Sequence, residues 1–236
     1  GVLVRYKNTV YFAILSMGIA TSTLAAVSAE EAKQLGSVLT PMGAEKAGNK
    51  EGTIPAYDPK PIAPPAGWDR KTMGFPDPWG EKPLFSITAQ NAAQYADKLD
   101  GMAEVFKKYP TFRMDVYPSH RAIPFPKTVV DNTNKNATGC KAIDDGLKLE
   151  GCVNGGMPFP IPKTGREEMW NKLLTYQSFA GTTNHLTTYV TPPSGAPALQ
   201  SVLDMVAQFP YYDPAKAGTP AKGTDLFYTV RADFIG

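Results

Sequence analysis

The sequence is poor in the residue types that metal sites, nucleic-acid surfaces and membrane spans require. Its 236 residues include two cysteines, Cys140 and Cys152, and two histidines, His120 and His185. Two cysteines and two distant histidines cannot make a tetrahedral zinc site. Charge of one sign is also lacking. Of the 24 Lys and Arg residues, Arg5 and Lys7 lie in the first 26 positions, so 22 remain against 22 Asp and Glu. A balanced chain without a basic run does not read as a nucleic-acid binder. Long apolar runs are missing too. Val10–Ala20 spans eleven residues, short of the ~20 needed to cross a bilayer.

Constellations for catalysis are equally scarce. His120 stands between Ser119 and Arg121 in a segment that reads as a strand, where neighbouring side chains point to opposite faces and cannot form a Ser-His pair. His185 sits among threonines without a nearby carboxylate. Glu167 and Glu168 are adjacent on a helix and do not face one another. Asp144-Asp145 is turn chemistry, and Asp131-Asn132-Thr133-Asn134 lacks calcium-loop spacing. Gly155-Gly156 lacks the other glycines and the lysine of a phosphate loop. The sequence therefore predicts no enzyme, no metal and no cofactor.

What is present begins with a leader-like segment. Arg5 and Lys7 precede the apolar run, and Thr21 to Ala26 supplies small residues for cleavage. Residues 1–26 read as a secretory signal, cut near Thr23-Leu24-Ala25 or Val27-Ser28-Ala29. No cysteine follows for lipid attachment. Residues 27–87 read as a short helix capped by Ser28 and Glu31, then a Pro- and Gly-rich extended arm (41–83) dotted with Trp68, Phe75 and Trp79. The aromatics imply that the arm packs on the body at intervals. Residues 88–236 read as the body.

The body is organised around Gly155-Gly156-Met157-Pro158-Phe159-Pro160-Ile161-Pro162 and the residues after it. Alternate prolines fix φ, extend the residue before each, and remove ladder donors, so this stretch cannot be an interior strand. Thr164 with Glu167 then forms a capping box. Met169, Trp170, Leu173 and Leu174 recur at helical spacing and predict an apolar face. Upstream, Thr88 is read as capping a helix to Leu99, and Met102 to Tyr109 continues with helical period beyond Asp100-Gly101. Phe112–Tyr117 alternates as a strand, His120–Phe125 reads as an edge strand, and 126–138 as a weak helix with only Val129, Val130 and Thr133 on its apolar side.

Asp145-Gly146 is a hairpin signal midway between Cys140 and Cys152, and a three-residue loop there sets the cysteines opposite one another. In an oxidising compartment they would pair. Two free thiols is the alternative. Downstream, Ser178–Thr191 reads as a strand kinked near Gly181, and 226–235 as another. Between them Leu199, Val202, Leu203 and Val206 follow helical spacing.

Several stretches resemble a family of exported Gram-negative proteins of unknown function labelled as outer-membrane lipoprotein-sorting proteins. They are Ala26–Ala32 with Leu35-Gly36, Leu39–Asn49, Gly52–Ala56, Asn91–Leu99, Tyr117–Arg121, Gly155–Pro162, Gln208–Tyr212 and Arg231–Phe234. The resemblance implies an α+β, mainly antiparallel fold of the LolA/LolB type: an incomplete half β-barrel covered by helices, of which this chain is the N-terminal half. It also implies strand for 199–212. It implies a periplasmic, non-catalytic carrier for a lipid or acylated ligand, acting with a resistance-nodulation-division-type exporter and other envelope proteins. Trp170, Met169, Leu173 and Tyr189 are the residues expected to line the cavity. A second reading is a scaffold that docks to the exporter through the arm.

Overall fold

The computed structural model describes residues 27–69, 71 and 77–234. The leader expected at 1–26, together with Phe75 and the last two residues, lies outside them. Among the described residues the structure is mixed α and β, with antiparallel pairing in three separate sheets and no closed barrel. The first sheet pairs β1 (Phe85–Thr88) with β2 (Arg113–Val116). The second pairs β3 (Lys141–Ile143) with β4 (Lys148–Glu150). The third carries β5 (Ala180–Val190), β6 (Ala198–Gln208) and β7 (Thr229–Phe234), with β6 in the middle.

Helix α1 (Ala29–Ala32) has both bonds of the Ser28–Glu31 capping box. Lys163 Nζ reaches Glu31, and with the Ser28 backbone N–H this holds the exposed carboxyl at a pKa of about 2. The arm is tied down mainly by hydrogen bonds. Arg121 donates its guanidinium to the carbonyls of Glu45, Ala47 and Pro55. The N–H groups of Asp58 and Lys60 donate to the Arg121 and Ala122 carbonyls, and Tyr57 donates its hydroxyl to Ile123 O. Trp79 stacks on His120 at 4.2 Å, and His120 meets Glu81 at 2.8 Å. Residues 120–125 are thus extended, but they are not the expected strand. Pro124 and its neighbours Pro118 and Pro126 prevent a ladder, and the arm takes the carbonyls instead.

The expected Thr88-capped helix is also different. Thr88 ends β1, and its N–H is taken by Asn91 Oδ1 at 2.7 Å. A 3-10 helix follows over Ala92–Lys98, then α2 over Met102–Lys108. Their apolar sides pack Ala92, Leu99 and Phe106 on Ile87 of β1.

The other core lies around α3 (Lys127–Gly139), which is far from the weak element expected. Val129, Asn132, Thr133, Asn136 and Ala137 are all buried. The sequence hides this face because three of the five, Asn132, Thr133 and Asn136, are polar, and their hydrogen bonds offset the desolvation. The cysteine hairpin forms as read, and Cys140 and Cys152 are joined by a disulfide. Its loop is one residue longer than expected: Ile143 pairs with Lys148. That register puts Cys140 level with Gly151, which swings out at φ 72° and lets Cys152 reach back.

In the third sheet Ala198–Gln208 is strand, against its helical spacing and as the resemblance implied, but the expected strand stops there and Pro210–Tyr212 is a 3-10 helix. Leu203 pairs with Leu186 and Phe234, Met205 with Thr183 and Ala232, and Ala207 with Gly181 and Val230. Paired residues share a face, so these nine positions form one apolar side. The opposite side mixes Asp204, Arg231 and Asp233 with Val202 and Val206. The kink in β5 falls at Asn184-His185, where His185 has φ 56° and the register shifts, rather than at Gly181.

Candidate functional site

Two regions compete for the role of site. The first is the polar knot under the proline segment. Asn136 donates Nδ2 to the carbonyls of Val153 and Gly156 and to the Tyr211 hydroxyl, and its Oδ1 accepts the Val153 N–H. Tyr211 donates its hydroxyl towards the same two carbonyls, at 3.0 and 2.8 Å. Burial pushes the Tyr211 and Tyr212 phenols well above their ordinary range, so neither ionises as a base or nucleophile would. Gly156 passes so close to α3 that a Cβ there would lie 2.3 Å from the Asn132 carbonyl carbon. Gly43, at φ 86°, touches the Pro160 carbonyl in the same manner.

The proline segment gets its missing ladder from a side chain. Asn171 Oδ1 accepts the Phe159 N–H at 3.0 Å, and Asn171 Nδ2 donates to the Phe159 carbonyl at 2.7 Å. Asn171 belongs to α4 (Gly165–Leu173), whose Thr164–Glu167 capping box forms as read. Beside it, Asp225 is buried with Lys216 Nζ at 2.7 Å, the Lys222 N–H at 3.0 Å and Asn154 Nδ2 at 3.3 Å. The Lys216 ammonium first, then those other donors, hold its carboxyl below the usual range. This region is closed and mutually satisfied, save Asn154 Oδ1. It reads as structure.

The second region is open. The apolar side of the β5–β7 sheet is uncovered: Leu186 and Val230 are exposed, and Phe234 is 73% exposed. At its base Phe209 and Tyr228 approach to 5.9 Å between ring centroids. A shallow groove there is lined by Leu173, Leu174, Phe209, Tyr212, Leu226 and Tyr228. It encloses about 10 Å³, room for a single water rather than an alkyl chain. An apolar ligand would have to lie on the open sheet.

The four residues expected to line a cavity are not brought together. Leu173 lines the groove, 63% exposed, and Met169, one turn back, is 59% exposed. Trp170 turns inward, packs against the buried cluster of Cys140, Cys152 and Phe159, and donates its indole N–H to Gly146 O at 2.8 Å, bracing the disulfide hairpin. Tyr189 is three residues from Leu186, so it projects from the opposite, mixed side of the sheet, level with Leu199. The expected apolar helix face is split, with Leu174 buried and Met169 and Leu173 outward. Sequence reasoning missed Leu203, Met205, Val230 and Phe234 as a set. Period-two alternation in two strands could have found them, had 199–206 been read as strand.

Among the described residues no three His, Cys, Asp or Glu side chains converge as a metal site would need. No helix among them is long and apolar enough to cross a membrane. The model of a family described as a protein of unknown function (DUF1329) matches residues 86–234. An uncharacterized protein of Pseudomonas aeruginosa, PA3922, is 42% identical over 190 residues, which cover 79% of this chain and 41% of that protein. The chain thus spans less than half the length of the curated relative it matches. No solved structure matches the chain.

Proposed function

The chain belongs to the DUF1329 family of proteins of unknown function, and from that premise we propose that it is a non-catalytic, exported carrier surface for an acyl chain. The observation that carries this is the uncovered apolar side of β5–β7, built from Leu186, Leu203, Met205, Val230, Ala232 and Phe234. An alkyl tail laid on such a surface gains about 0.8 kcal/mol per buried CH₂, the same currency that holds it in a membrane. Transfer then needs differential burial only. No bond is made.

The half-barrel of the LolA/LolB type belongs to this proposal, since a curved antiparallel sheet under helices would shelter the tail. Export to the periplasm and hand-over from a resistance-nodulation-division-type exporter are part of the same reading. The leader-like segment (1–26) and the family resemblance support them. The alternative, docking to the exporter through residues 41–83, is less well supported. Arg121 and Trp79 fasten that arm to the body, so it is not a free ligand for another protein.

The test is binding of a fluorescent fatty acid to the 236-residue protein and to Met205→Asp. Binding lost in the variant, with the fold intact by circular dichroism, is the expected outcome. Equal binding by both, or none by either, would refute the carrier reading.

A further inference from the structure

The two edges of the β5–β7 sheet are not alike. The β5 edge is irregular: Asn184 and His185 together face the single residue Asp204, and His185 has φ 56°. Bulges and kinks of this kind blunt an edge against pairing. The β7 edge has neither. Its six residues pair with β6 in unbroken register from Thr229 to Phe234, contain no proline or lysine, and are all exposed. Its apolar positions, Val230, Ala232 and Phe234, continue the uncovered side of the sheet. An edge that is regular, unpaired among the described residues and apolar on one side is a template for another strand.

The 42% identical Pseudomonas protein has more than half of its length outside the part this chain matches. We infer that the free edge of β7 is a seam that takes a further antiparallel strand, supplied by the polypeptide that a full-length family member carries beyond this region. The added strand alternates apolar and polar residues, so that its apolar side extends the Leu203–Met205–Phe234 surface. The seam is made by backbone N–H and C=O groups. It does not depend on what, if anything, binds the apolar side.

Hydrogen exchange on the 236-residue protein and on full-length PA3922 tests it. Alternate amides of 229–234, those not bonded to β6, exchange freely in the shorter protein. Their counterparts in the full-length protein exchange on the order of 100-fold more slowly, because opening then requires separating a paired strand. Edge amides of β5 exchange alike in both. Equal exchange at the β7 positions in the two proteins would overturn the inference. So would protection of β7 in the shorter protein with a doubled mass, since a second copy would then be the occupant. Fatty-acid binding enters neither outcome, so the seam and the carrier reading fail separately.

Discussion

The region around Asn136 and the β5–β7 sheet are built from opposite materials, and each is the reverse of what its composition suggests. The first buries asparagines, a threonine, tyrosines and an aspartate, and is closed. The second exposes Leu186, Val230 and Phe234 and only half-buries Leu203 and Met205. Burial follows the satisfaction of polar groups as much as hydrophobicity. A closed polar knot fixes one conformation, whereas an open apolar face is kept for something else to cover. Substitutions in the knot should therefore cost stability, and substitutions on the sheet should cost binding.

The largest effect is expected from Asn136→Ala. It strips donors from two buried carbonyls and Tyr211 and orphans the Val153 N–H, for a loss of about 4 kcal/mol in urea unfolding. Replacing Cys140 and Cys152 by serine frees a 12-residue separation and should cost about 3 kcal/mol, read as a fall in the midpoint of denaturation. Trp170→Phe keeps an aromatic ring but loses part of the indole's packing and the hydrogen bond to Gly146 O. A loss of about 1 kcal/mol should follow, visible in the same experiment.

Acid sharpens the contrast next. Asp225 has a depressed folded pKa, so its contribution is complete above the ordinary carboxylate range and disappears as pH falls through the folded value. Thermal scans from pH 5 to pH 2 should show a steeper loss for the native protein than for Asp225→Asn, whose stability is lower at pH 5 and flatter below. The smallest change in stability, within about 0.5 kcal/mol, is expected for Phe234→Ser on the exposed sheet. A large loss of folding there would erase the distinction between the two regions.

Local devices were legible in the sequence because both partners sit within a few residues. The Ser28–Glu31 and Thr164–Glu167 boxes, the break at Gly101 and the cysteine hairpin are of this kind. The spacing of Leu199, Val202 and Val206 misled for a physical reason. The register shift between Thr188 and Tyr189 leaves Gln200 unpaired, and the inserted residue brings Leu199 and Val202 to one face of a strand at a three-residue interval. A bulged strand thus imitates a helix. Strand β1 was missed because four residues are too few for a period, and Thr88 looks like a cap.

The sequence by itself determined the two capping boxes, where alternate prolines hold the chain extended, and that the cysteines could meet. Each of these rests on forces acting over a few residues: φ restriction, capping, turn geometry. Only the tertiary structure decided that Asn136 and Asn171 are buried keystones, that Trp170 braces a hairpin, and that Met169 and Leu173 face outward. Those outcomes depend on which distant carbonyls need donors and which strand lies alongside, and a hydrogen bond across 75 positions leaves no period in the chain to read.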